Sequence, residues 1–228
     1  MSYKTKLIRY IFDGECSDIK SKIVALTASK EYLADLSKKI PSNYYAIYDR
    51  LGLIPENNNR YNQFIEILEK KFNLNTNILE VGGGNLPRIA ERIANKQLNT
   101  QNGKITVIDP MLSTKKTNYN NLTLCKDNFT LDTDIKQFDL IISLFPCEAT
   151  ETLIYKALTE NKNLLFRMCD CIHLYEGMTD EEYNYFLKYP NKYYSMEMDR
   201  YKKFARMNGR KLEISGPQDS PIIMCKKK

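Results

Sequence analysis

The stretch Asn77-Ile-Leu-Glu-Val-Gly-Gly-Gly-Asn-Leu-Pro-Arg-Ile-Ala90 decides how this chain is read. A short apolar run reaches an acid at Glu80 and enters three consecutive glycines, Gly82, Gly83 and Gly84. A helix-like pattern begins immediately afterwards. The sequence therefore predicts a strand, a tight loop and a helix start. Glycines let a ligand approach bare backbone, and a helix N-terminus offers unpaired N–H groups at the positive end of its dipole.

Two kinds of nucleotide-like ligand use such a corner. A dinucleotide fold favours G-x-G-x-x-G, whose third glycine lets helix and strand pack closely. Gly82 and Gly84 fit, but Pro87 stands at the third position. Proline is tolerated in a first helical turn, where its missing N–H is no loss. Glu80 separates the two ligands more sharply. A carboxylate does nothing for a pyrophosphate, whereas it attracts an ammonium and a sulfonium. The run Glu80-Val-Gly-Gly-Gly-Asn85 resembles the first motif of class I S-adenosylmethionine (SAM) methyltransferases, E-x-G-x-G-x.

Later segments extend that resemblance in order. Lys104-Ile-Thr-Val-Ile-Asp109, followed by Pro110, is an apolar run ending in an acid, the arrangement that sets a carboxylate against ribose hydroxyls. Leu122-Thr-Leu-Cys-Lys-Asp127-Asn128 reads as a third strand. Phe138-Asp-Leu-Ile-Ile-Ser-Leu-Phe-Pro146 is almost continuously apolar, as a strand buried on both faces requires. Lys162–Met168 reads as a fifth strand, and Lys211–Ser215 with Pro221–Cys225 as a terminal hairpin turned by Gly216-Pro-Gln-Asp219.

The resemblance spans residues 75–228 and implies an α/β fold. Its sheet would be Rossmann-like, mostly parallel and seven-stranded, closed by an antiparallel C-terminal hairpin. SAM is the implied cofactor. On that basis Glu80, Gly82, Gly83, Gly84 and Asn85 line the methionine and ribose side, and Asp109 with Pro110 holds the ribose. Asp127 and Asn128 meet the adenine, while Ser143, Leu144 and Phe145 form a floor beside the reactive methyl.

Methyl transfer is an in-line displacement at a carbon already activated by sulfonium. Alignment and desolvation can supply most of the ~7–11 kcal/mol available from proximity. A base is needed only when the acceptor must lose a proton. After the fourth strand the chain reads Ser143-Leu-Phe-Pro-Cys147-Glu148, not the N-P-P-Y motif of amino-group methyltransferases. An exocyclic amine as acceptor is therefore unsupported. The candidates for catalytic contact are Glu148 and Cys147, although Glu148 suits the first turn of the next helix equally well. Cys169-Asp-Cys171-Ile-His173 could join Cys147 in a set with the ligand types of zinc. The spacing is not a standard knuckle and buried cysteines are common core residues, so no metal is expected. A nucleophilic cysteine would lack a second activating histidine, because His173 is the only one in the chain.

At 228 residues and 43% hydrophobic, the chain can bury an ordinary core. No apolar run approaches the ~20 residues of a membrane span. The N-terminus has charge but no apolar signal core, which predicts a cytoplasmic chain with free thiols. The net charge of +6 lies outside the central region: residues 1–74 carry 12 basic against 9 acidic side chains, 75–175 carry 11 against 11, and 176–228 carry 11 against 8. A small-molecule acceptor is the expected partner, with RNA as the alternative; the sequence is silent on oligomeric state.

Residues 1–74 read as a helical cap. Ile23, Leu26, Leu33, Leu36 and Ile40 make one apolar stripe, and Tyr44 to Leu51 a second stretch. Tyr61, Phe64, Ile65, Leu68 and Phe72 mark the helix entering the first strand. Tyrosines here, and in the group Tyr183, Tyr185, Phe186, Tyr189, Tyr193 and Tyr194, fit amphipathic packing and are also candidates to cover the site. Three rival readings remain open: aminocarboxypropyl transfer as in nicotianamine-synthase-like proteins, a non-catalytic SAM- or RNA-binding module, and an NAD(P)-linked dehydrogenase.

Overall fold

The computed structural model describes residues 59–84, 86–98, 103–112, 117–146, 149–168, 178–216 and 220–227. The chain divides into two compact units, Met1–Asn58 and Asn59–Lys228. The expected stripe Ile23–Ile40 and the Tyr44–Leu51 stretch lie outside the described residues. The helix expected around Tyr61 to Phe72 is present as α1 (Asn59–Lys71) and belongs to the second unit.

Seven strands make one sheet: β1 (Ile78–Val81), β2 (Ile105–Ile108), β3 (Leu122–Cys125), β4 (Leu140–Leu144), β5 (Asn163–Arg167), β6 (Glu213–Ser215) and β7 (Ile222–Cys225). Their order is β3-β2-β1-β4-β5-β7-β6. The first five run parallel, β7 is antiparallel to β5, and β6 is antiparallel to β7. This is the mostly parallel sheet with a reversed C-terminal hairpin that the sequence implies.

Burial explains the order. Every residue of β1, β4 and β7 is buried, so these strands need covered faces on both sides. The edge strand β3 alternates, with Thr123 exposed between buried Leu122 and Leu124. Helices α2 (Arg88–Leu98), α3 (Thr150–Thr159), α4 (Asp180–Lys188) and α5 (Pro190–Met207) complete the unit with α1. Ile89, Ala90, Ile93 and Ala94 form the buried face of α2. Leu153, Ile154 and Ala157 of α3 share a core cluster with Met198, Tyr201 and Ala205 of α5, beneath Ile141, Phe166 and Ile223 of the sheet.

Helices α3 and α5 lie side by side in the same direction. Each carries the chain from the C-terminal edge of the strands towards the N-terminal edge. Three contacts fix their register: Arg200 pairs with Glu151, Phe204 stacks on Tyr155 with ring centroids 5.4 Å apart, and Arg210 follows the end of α5. The buried Arg210 guanidinium donates from Nη1 to the Ala157 carbonyl at 3.2 Å and from Nη2 to the Lys162 carbonyl at 2.8 Å. The Ala157 carbonyl, in the last turn of α3, also accepts the Lys162 N–H at 2.8 Å, and Lys162 lies just past the end of that helix. No helix among the described residues is long and apolar enough to cross a membrane.

Arg210→Ala should remove the guanidinium donor from the Lys162 carbonyl and one of the two donors on the Ala157 carbonyl, which keeps the Lys162 N–H, costing about 2 kcal/mol. The urea midpoint should fall with the slope of the transition unchanged.

Candidate functional site

Strand order reverses between β1 and β4, and open α/β sheets bind ligands in the crevice outside strand C-termini at such a point. Three segments meet there. The glycine loop leaves β1, Asp109 ends β2, and Phe145-Pro146 ends β4.

The loop is shaped by what its glycines permit. Gly82 and Gly84 have φ of 73° and 71°, in the left-handed region that side chains disfavour. A Cβ on Gly82 would stand 3.4 Å from the Pro146 Cα and 3.7 Å from the Ser143 Oγ, so the β1 and β4 loops touch here. Gly83 is required for a different reason. A Cβ there would lie 2.5 Å from the Val107 Cγ1, inside van der Waals contact.

Asp109 fastens this loop. Its Oδ2 accepts the Gly84 N–H at 2.8 Å and its Oδ1 accepts the Met111 N–H at 2.6 Å. The residue is buried, and its own N–H donates to the Cys125 carbonyl of β3 at 3.1 Å. Pro110 turns outward, and Asp127 with Asn128 sits exposed just beyond β3. The Asp127 Oδ1 accepts the Asn128 N–H at 2.7 Å, a local turn contact.

Glu80 is 2% exposed and lies beneath the loop rather than at its surface. Its Oε2 accepts the Ala90 N–H at 2.9 Å in the first turn of α2. Burial pushes the carboxyl up to about 8, outweighing the Ala90 hydrogen bond, and the neighbouring Asp109 charge adds to the rise. Ser143 is likewise turned inward, donating from Oγ to the Val81 carbonyl at 2.5 Å, and Leu144 is buried. The Ser143 hydroxyl thereby links β4 to β1 under the crevice.

Phe145 was expected at the site, but sequence reading gave no hint of its backbone. Its φ is 63°, left-handed for a residue with a bulky side chain. The Phe145 N–H donates to the Arg167 carbonyl at 2.9 Å, and the Arg167 guanidinium lies 5.7 Å from the ring centroid. Arg167 in turn donates from Nε to the Ser220 Oγ at 3.1 Å. A second group escaped the sequence reading. Glu197 of α5 is fully buried, and burial pushes its carboxyl up to about 7 although the Tyr193 and Tyr201 hydroxyls oppose this. The signal was a charged residue within a helix stripe, which spacing alone cannot separate from a solvated one. Asn85, Cys147, Glu148, Cys169, Cys171 and His173 lie outside the described residues, and no metal-binding cluster occurs among the described ones.

No protein-family model matches the chain, and no curated protein matches it by sequence. Solved structures do resemble it. The plantazolicin methyltransferase BpumL, in complex with a monoazolic desmethylPZN analog and SAH, aligns with a TM-score of 0.50 at 13% identity, covering 92% of this chain and 99% of that one. The 23S rRNA methyltransferase ErmE gives 0.48 at 12%, over 73% and 68%. Coclaurine N-methyltransferase, bound to N-methylheliamine and SAH, gives 0.38 at 16%, over 48% of this chain and 36% of that one. The chain thus spans about a third of the coclaurine enzyme's length. Identities at this level establish architecture and nothing about substrate. The chain has the class I SAM-dependent methyltransferase fold.

Two predictions follow from the loop. Gly83→Ala should destabilise the protein, and Val107→Ala in the same chain should recover part of that loss. The double variant will then be less destabilised than the sum of the singles in chemical denaturation. The second concerns Glu80. Unfolded, its carboxyl ionises near 4.5; folded, near 8. Between these values the folded chain keeps a proton that the unfolded chain has lost, so stability falls as pH rises through that window. Glu80→Gln retains an acceptor for Ala90 without a titrating proton and should flatten the decline, measured as urea midpoint against pH.

Proposed function

We propose that the chain is a SAM-dependent methyltransferase acting on a small molecule or an RNA. The observation that carries this reading is Asp109: a buried carboxylate at the end of β2, tied to the Gly84 amide at 2.8 Å beside the strand-order reversal. It keeps bare glycine backbone open on one side and presents carboxylate lone pairs to hydroxyls on the other. The BpumL structure, which contains SAH on the same fold, supports adenosyl binding at this corner.

In this reading Gly82, Gly83 and Gly84 with Asn85 take the methionine and ribose side, and Asp109 with Pro110 the ribose. Asp127 and Asn128 reach the adenine. Glu80 acts from below as the brace between loop and α2, through its bond to Ala90. Ser143 and Leu144 shape the floor from beneath, while Phe145 faces the methyl. Cys147 and Glu148, which follow the fourth strand in sequence, are the candidates on the acceptor side. SAM supplies the activated methyl; the chain's residues orient it and exclude water.

A thermal-shift panel of SAM, S-adenosylhomocysteine, methylthioadenosine and NAD tests this. At 100 times its dissociation constant a ligand stabilises by about 2.7 kcal/mol. SAM and S-adenosylhomocysteine should shift the melt and NAD should not. Asp109→Ala should weaken both adenosyl ligands alike, by at least about tenfold, because a charge-assisted contact is lost. Stabilisation by NAD alone, or unchanged affinity in the variant, would refute the assignment. Accumulation of methylthioadenosine during turnover would point to aminocarboxypropyl transfer instead.

A further inference from the structure

Helix α5 is 18 residues long, about 27 Å, and longer than its packing on the sheet requires. Arg200 is already level with Glu151, in the first turn of α3 and just past the C-terminal end of β4. Tyr194, Met198 and Lys202 line one groove with Ile214, Ser215 and Gly216, at the C-terminal end of β6. The single turn of α5 before Tyr194 therefore stands beyond the sheet edge that carries Gly82, Asp109 and Phe145. Helix α4 joins it there.

This projecting corner has its own small core. Phe186, Tyr193 and Tyr194 are buried together with Met178 packed against them. Phe186 and Tyr193 meet edge to face with centroids 4.9 Å apart, as do Tyr193 and Tyr194 at 5.8 Å. A capping box fixes the start of α4: the Thr179 Oγ1 accepts the Glu182 N–H at 3.2 Å, and the Glu182 Oε2 accepts the Thr179 N–H at 2.9 Å. The corner is therefore held by contacts of its own.

Its outer side is of another character. Tyr185 and Tyr189 are each 41% exposed, with centroids 5.0 Å apart and planes tilted by 52°. Lys192 donates from Nζ to the Tyr185 hydroxyl at 2.9 Å and lies 5.5 and 5.3 Å from the two ring centroids. Lys188 lies 5.5 Å from the Tyr189 ring. Leu187 and Met196 add exposed apolar surface. From Tyr183 to Met196 the sequence has five tyrosines and two lysines, and the acids of α4, Asp180, Glu181 and Glu182, all stand in its first turn. Ring faces beside ammonium groups match a chain of bases and phosphates: rings stack on bases and lysines meet phosphates. An acidic peptide would use the lysines but leave the rings without a role.

We propose that the α4–α5 corner is a docking face for single-stranded RNA, through Tyr185, Tyr189, Lys188 and Lys192. The phenol hydroxyls at the ring edges give it groups able to bond a ribose 2′-OH, the feature that separates RNA from DNA. That the bound strand is also the methyl acceptor rests on the methyltransferase reading above; the binding does not.

The test uses the full chain and fluorescence anisotropy of a fluorescein-labelled 12-nucleotide A/U RNA, with the matching DNA strand and a polyglutamate peptide as competitors. Tyr185→Ala with Tyr189→Ala should weaken RNA binding at least about tenfold, since each stacked base is lost outright. Lys188→Gln with Lys192→Gln should reduce the slope of log affinity against log salt by about 1.4, two phosphate contacts at roughly 0.7 each. Tyr189→Phe keeps the ring and should hold RNA affinity within about threefold while narrowing the gap to DNA. Melting temperatures of these exposed variants should match the parent. Affinity and salt slope unchanged in both double variants, absence of RNA binding by the parent, or equal competition by DNA or polyglutamate would overturn the proposal. S-adenosylhomocysteine stabilisation, measured on the same proteins, keeps the two readings apart. Its absence with RNA binding intact removes methyl transfer and leaves the docking face standing.

Discussion

The site depends on one carboxylate satisfying two backbone donors. Asp109 takes the Gly84 and Met111 N–H groups from two different loops, while its own amide is held by β3. Those N–H groups sit where β1 and β2 have ended and the sheet offers no further carbonyls, so without Asp109 they would need water or a ligand. The bond also explains why three glycines stand in a row. Gly84 must adopt a left-handed backbone to present its N–H, Gly82 must do the same beside Pro146, and Gly83 must pass under Val107. A loop so constrained is ordered by the protein before a ligand arrives, which lowers the entropy lost on binding.

A second layer supports it from below. Glu80 ties the loop's base to the first turn of α2, and Ser143 ties β1 to β4 under the crevice. Both polar groups are buried, and each has found a partner in the backbone. Removing either would leave a buried donor or acceptor unmatched, a loss of about 1–3 kcal/mol. Stability and site geometry therefore share the same bonds here.

Much of the fold was legible because parallel strands advertise themselves. Runs such as Leu140–Leu144 are almost wholly apolar because both faces are covered, and the first two strands are followed at once by a glycine, Gly82, and an acid, Asp109. The Asp109 position at the second strand's end was readable for that reason. Glu80 shows where such reading stops. An acid before a glycine loop looks the same in sequence whether its carboxyl faces a ligand or a helix terminus, and only the position of Ala90 decides. Glu197 was hidden by the same ambiguity. The reach of α5 beyond the sheet edge was illegible too, since apolar spacing records which side of a helix is covered but not how far it overshoots its neighbour.

Phe145 has a consequence for how the crevice is built. A left-handed phenylalanine costs roughly 1–3 kcal/mol, a strain the surroundings must impose. Here β5 imposes it, by accepting the Phe145 N–H at the Arg167 carbonyl and laying the guanidinium near the ring. The bend turns the chain out of the fourth strand towards the glycine corner, where Pro146 meets Gly82. Folding itself thus does the aiming: the segment that leaves the fourth strand acquires its heading from the neighbouring strand.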